Sequence, residues 1–301
     1  MLRIGQIILV LHFVSSSGFA AHVVEKSDAA RRDYEARYTP GPKNNPLEVP
    51  IVTFVYSGSN RVEKVALSEE IDTIDEVHYA RDRCIILGTL NWHAGSNVSI
   101  VDAKLAKVVA SIQCFFPVVS PNGANVVFEK WNATFAPREN LWPAVLVIST
   151  IHAEGGPVQV YPDEESNPGD PLGDNHLVVS PKIWSSDGGV LAFLDKFGDY
   201  GNWKAPYEIY AVVVRFKDGK PLRAKRALIQ KETFVRPGAN PEYIGFGAES
   251  LEISDGKLRG KLHPEDYWVR DTFSFDLARI DKELPLGIGE VKADAAGVER
   301  K

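Results

Sequence analysis

Aromatic side chains cluster in this sequence at positions expected to be loops. Trp92 follows one apolar run; Trp131, Phe135 and Trp142 form a second group, Phe197, Tyr200 and Trp203 a third, and Tyr267 with Trp268 a fourth. Trp and Tyr give large contact area with few rotamers to freeze and one polar edge, the make-up of interface anchors and sugar platforms. On loops they serve binding better than core packing. The chemistry they suggest is recognition of a protein or glycan partner, with Trp92, Trp131, Trp142, Phe197, Tyr200, Trp203 and Trp268 as candidate contacts. The competing reading of any one ring is a plug between packed sheets.

Catalytic patterns are sparser. Asp195, Glu129 and Asp199 stand near the same expected loops, and a carboxylate pair there would suit acid–base attack on a glycoside, so an extracellular polymer hydrolase is the alternative function. The histidines show neither His-x-x-x-His nor His-Glu-x-x-His spacing, which gives no support for zinc. There is no Gly-x-Ser-x-Gly elbow and no phosphate-cradling glycine loop. The connection at 161–176 carries Asp163, Glu164, Glu165, Asp170 and Asp174, but prolines interrupt it and calcium-loop spacing is missing, so it reads as a solvated acidic loop. No cofactor is expected, and the residues favour binding over catalysis.

A formal net charge of −6 over 301 residues argues against a nucleic-acid surface, which needs a basic excess. Residues 1–21 have a basic start, a short apolar run at Ile7–Val14 and a small-residue zone, the layout of a secretory signal; a buried strand is the other reading. That run is shorter than the ~20 apolar residues that span a bilayer, and no later segment qualifies. The expected location is therefore secreted or periplasmic. In such a compartment Cys84 and Cys114 can bridge, worth roughly 3–4 kcal/mol by loop entropy, or stay as two buried thiols in their apolar runs. Asn97-Val-Ser and Asn132-Ala-Thr match the glycosylation pattern.

The elements that must position these groups read as strands. Residues 22–47 suggest a short charged helix (Lys26–Tyr38) and a Pro/Gly/Asn-rich linker; 48–286 is strand-dominated; 287–301 is small, polar and expected to be disordered. Within the strand region one unit recurs. Ser120-Pro-Asn-Gly precedes ANVVFEKW, an aromatic loop and AVLVIST; Ser185-Ser-Asp-Gly precedes GVLAFLDKF, an aromatic loop and YEIYAVVVRF. Asp82, Asn122, Asp187 and Asp255 mark successive turns at intervals of 40, 65 and 68 residues. Asn-Gly and Asp-Gly supply the positive φ that tight hairpins need.

Val118-Val-Ser-Pro-Asn-Gly…Val-Val-Phe and Ile183-Trp-Ser-Ser-Asp-Gly…Leu-Ala-Phe resemble the W-S-P-D-G-x-x-[IL]-A-F unit of TolB-type and WD-type propeller repeats. The match covers two units well and two weakly. The resemblance implies an all-β, propeller-like fold of four or five irregular blades, the hairpin at 51–67 completing the last sheet, and a ligand face on the rim that carries the second-to-third loops. A β-sandwich with long loops is the alternative. The function expected is an exported binding or scaffold module.

Overall fold

The computed structural model describes residues 24–26, 34–39, 49–80, 82–90, 95–131, 146–152, 157–162, 176–198, 207–232, 247–263, 271–280 and 299–300. The expected signal, most of the linker and most of the C-terminal tail lie outside them. The described residues divide after Val119 into two compact units.

In the first unit, β1 (Val24–Lys26) runs parallel to the edge of a later strand. β2 (Tyr34–Thr39), β3 (Ile51–Tyr56) and β4 (Val62–Ala66) form an antiparallel sheet. β5 (Ile71–Ala80), β6 (Arg83–Leu90), β7 (Ser96–Asp102) and β8 (Lys107–Val119) follow as an antiparallel meander. Burying alternate residues fixes which face turns inward. Tyr34, Val52, Phe54 and Val65 meet Ile74, Val77, Cys84 and Ile86 in one core.

Two expectations fail here. Residues 34–39 form a strand, where a helix was expected over Lys26–Tyr38. Tyr34 and Ala36 alternate into the core while Arg37 is exposed, so burial of one face at period two outweighs local helix preference. The hairpin at 51–67 takes β2 as its outer partner, as strand pairs within the first unit.

In the second unit, β9 (Asn125–Trp131), β10 (Leu146–His152) and β11 (Val158–Tyr161) pair in order. β12 (His176–Val178), β13 (Ile183–Trp184), β14 (Val190–Gly198), β15 (Tyr207–Lys217), β16 (Lys220–Pro221) and β17 (Lys225–Glu232) make the next sheet. Its centre is the long β14–β15 pair. β18 (Gly247–Ser254), β19 (Lys257–His263) and β20 (Asp271–Asp276) form another. It ends in the short helix α1 (Leu277–Ile280) and takes β21 (Glu299–Arg300) at its edge, which places one strand inside the expected disordered tail.

The middle sheet is buried on both faces. Leu191 to Lys196 has no exposed position. Leu191, Phe193, Val212 and Val214 pack against Val127, Val160 and Tyr161 of the preceding sheet. Ala192, Leu194, Ile209 and Ala211 pack against Leu258, Phe273 and Phe275 of the following one. A two-layer sandwich would leave the second face of that strand toward water. Successive small antiparallel sheets stacked face to face make the fold all-β and propeller-like.

The repeated turns match atom for atom. Ser120 Oγ accepts from the Asn125 amide at 3.0 Å, and Asn122 Oδ1 accepts from the Ala124 amide at 3.0 Å. Ser185 Oγ accepts from Val190 N at 2.9 Å, and Asp187 Oδ1 accepts from Gly189 N at 2.9 Å. Gly123 and Gly188 follow with φ of 67° and 71°. The Ser185 hydroxyl, which donates to Asp187 Oδ1 at 2.6 Å, and then the Gly189 amide hold the Asp187 carboxyl below the ordinary carboxylate range.

Candidate functional site

The turns orient the second unit. Asn122 Nδ2 donates to the Asp187 carbonyl at 3.4 Å, so the first two turns touch. Arg215, whose backbone faces Val190 beside the second turn, donates to the Leu277 carbonyl at 3.3 Å; the Leu277 amide donates to Gly256 in the third turn at 2.9 Å. All three turns therefore share one end of the unit. The opposite end receives the last residues of β9, β11, β14 and β19 and the first of β10, β12, β15 and β20. The segments 132–145, 163–175, 199–206 and 264–270 connect strands at that end.

Most of the expected contacts sit in such segments. Trp142, Tyr200, Trp203 and Trp268, with Phe135, Tyr267 and Asp199, lie outside the described residues, as do the acidic residues of 163–175. Trp92 also lies outside them, within 91–94 of the first unit. Trp131 is the last residue of β9, its backbone paired with Leu146. Phe197 is a strand residue on β14 and half-buried.

Beneath this end the stacked sheets enclose a polar cluster. Asp195 is fully buried, and its Oδ2 accepts from the Tyr161 hydroxyl at 2.6 Å and from His176 Nδ1 at 2.6 Å. Strand register explains the meeting. On β14, Asp195 and Phe197 share a face with Phe193, which turns toward Tyr161. His176 opens β12 directly opposite Phe197. Their rings lie 4.9 Å apart, and the Tyr161 ring meets His176 edge-on at 5.2 Å. Arg226 comes from β17; its guanidinium sits 4.5 Å above the Tyr210 ring and 5.4 Å from Phe197, and it also hydrogen-bonds the Tyr161 hydroxyl.

Electrostatics follow from this enclosure. Burial foremost, then the Asp195 charge, pushes the Tyr161 hydroxyl well above its ordinary range, so it stays a donor. Burial and the Glu208 carboxylate raise Tyr210 likewise. A chain results: Arg226 to Tyr161, Tyr161 to Asp195, and His176 to the same carboxylate. Its two ends are polar atoms, Arg226 Nη1 and His176 Nε2, both buried and with no hydrogen-bond partner.

A second buried pair lies between the same two sheets. The Lys182 ammonium donates to Glu129 Oε1. Burial outweighs the pull of Lys182 and holds the Glu129 carboxyl above its usual range. Asp195 and Glu129 were candidates for a rim acid–base pair. They are instead 0% and 4% exposed and each committed to an internal partner, because their positions on β14 and β9 face a neighbouring sheet.

Two further expectations are resolved by register. Cys84 pairs with Val101 and Cys114 with Ser96, so the two buried thiols stand two strands apart and five residues along β7. That separation, roughly 20 Å from ordinary strand spacings, is far beyond the ~7 Å limit for a bridge. Asn97 is buried on β7, donating to Ser111 at 3.1 Å and accepting from Ser99 at 2.8 Å, so no glycan attaches there. Among the described residues, no three His, Cys, Asp or Glu side chains gather as a metal set, and no helix is long and apolar enough to cross a membrane.

No protein-family model matches the chain, and no curated protein matches it. Solved structures similar to it include hydrazine synthase of Kuenenia stuttgartiensis, at 10% identity and TM-score 0.38, covering 87% of this chain and 66% of that one. Dipeptidyl peptidase 4 of Porphyromonas gingivalis gives 10% and 0.43, covering 82% and 38%. TolB from Acinetobacter baumannii gives 14% and 0.32, covering 81% and 50%. The chain spans less than two thirds of each. The propeller-like architecture rests on the stacked sheets described above.

Proposed function

We propose that this protein is an exported binding or scaffold module that holds a protein or glycan partner on the loop-bearing end of its second unit. Trp131, Trp142, Phe197, Tyr200, Trp203 and Trp268 form the contact set. The observation that supports this reading is the interlocked turns, which put the strand ends on either side of the aromatic-bearing segments at the other end of the second unit. A platform of that kind gives large contact area at low entropic cost. Trp92, in the first unit, is a separate candidate contact. The buried Asp195 and Glu129, each held by its own internal partner, favour binding over the polymer-hydrolase alternative, whose carboxylates must face a cleft.

The test is capture of a partner from the native extracellular fraction by the wild type and by Trp142→Ala/Trp203→Ala. Retention should fall at least about tenfold in the double variant, as expected for loss of two anchor residues, with Tm nearly unchanged. A large loss of Tm with retained capture would move both rings into the core and overturn the reading.

A further inference from the structure

Two orphaned atoms end the buried chain, and both belong to side chains that touch Phe197 and are tied to Tyr161. His176 is 3% exposed and presents Nδ1 to Asp195, so its other nitrogen points away from the carboxylate. Donation from Nδ1 to Asp195 selects the tautomer whose Nε2 carries a lone pair. Arg226 Nη1 is a buried donor without an acceptor. Leaving either group unmatched carries the full desolvation penalty of a buried polar atom. One donor and one acceptor beside a single aromatic ring call for a group that offers both.

We propose that His176 and Arg226 form the recognition end of a binding site for a carboxyl group, on a small acid or on the terminus of a larger partner. One carboxyl oxygen accepts from Arg226 Nη1, and the other meets His176 Nε2 with a proton between them. The incoming carboxylate is accompanied by one proton from solvent, which cancels its charge, since Arg226 and Asp195 already balance each other in the cluster. Guanidinium geometry matches a planar carboxylate. Phe197 and Tyr210 supply an apolar wall, and His176 begins β12 at the loop-bearing end. The groups that face the bound carboxyl are Tyr161 from β11, Asp195 from β14, Tyr210 and Glu208 from β15 and Arg226 from β17. This site is made of described strand residues and shares Phe197 with the aromatic contact set.

The experiment is isothermal titration of the full chain with sodium acetate, sodium D-glucuronate, sodium phosphate and D-glucose, each in two buffers of different ionisation heat. Acetate and glucuronate should bind with uptake of about one proton, with phosphate and glucose at least about tenfold weaker. His176→Gln and Arg226→Met should each weaken acetate about tenfold, as loss of one charge-assisted hydrogen bond does. If either variant fails to fold, wild-type imidazole 15N spectra decide, since acetate must move one histidine Nε2 from bare to protonated. Unchanged spectra, no carboxylate binding by the folded wild type, or equal binding of glucose or phosphate would overturn the site and leave the cluster holding water only.

Discussion

Asp195 ties its own sheet to the preceding one through a buried carboxylate. Its carboxylate gathers a hydroxyl from β11 and an imidazole from β12, so its loss strands two buried donors at once. Asp195→Asn should cost about 3–5 kcal/mol in urea unfolding, from two hydrogen bonds to a charged group at roughly 1.5–3 kcal/mol each. A cost under about 1 kcal/mol would mean the cluster is already reached by water. Glu129 gives a pH test. Its carboxyl is raised in the folded state, so its contribution to stability is present below the ordinary carboxylate range and is lost as pH rises through the raised value. Stability of the wild type should therefore decline from about pH 4 upward more steeply than that of Glu129→Gln, read as unfolding midpoint against pH. Parallel profiles would contradict the assignment. At this scale little was legible in advance. Tyr161, His176, Asp195 and Arg226 are scattered over 66 residues of sequence, and only sheet stacking joins them. The one local signal was a histidine opening an apolar strand directly after an acidic connection.

At the scale of elements the turns carry the specificity. A Cβ on Gly188 would stand 2.8 Å from Asn122 of the neighbouring turn, in a backbone with φ of 71°. Gly58 has the same φ sign with nothing within 4 Å. Gly58→Ala should cost about 1 kcal/mol, the ordinary penalty for a left-handed residue, and Gly188→Ala about 1 kcal/mol more. Asn122→Ala should relieve that excess in the double mutant, a coupling measurable by chemical denaturation. Equal costs at both glycines would dissolve the claim that the turns interlock. These turns were readable from sequence because the requirement is local: a serine, an Asn or Asp two residues on, and a glycine for positive φ. β2 was misread for the opposite reason. Glu35 and Arg37 make the segment look like a charged helix, and only the core beneath Tyr34 and Ala36 selects the strand.

For the whole molecule, stacking of the second unit's sheets buries its middle strands on both faces. The all-β class and the blade-like repeat were legible because the same turn chemistry recurs. The pairing of the 51–67 hairpin was not, since it depends on which edge the segment at 34–39 reaches first. Both cysteines should be unreactive toward a thiol reagent in the native protein and titrate as two thiols in denaturant without reductant. Two equivalents released only after reduction would show a bridge and contradict the register.

The central claim is that the aromatic end holds its partner without transforming it. The most direct measurement is mass spectrometry of captured material after prolonged incubation with the purified protein, beside the Trp142→Ala/Trp203→Ala variant. Material returned intact, in amounts that collapse in the variant, is the result expected. Cleaved fragments accumulating with time, or capture undiminished by the two substitutions, would contradict it.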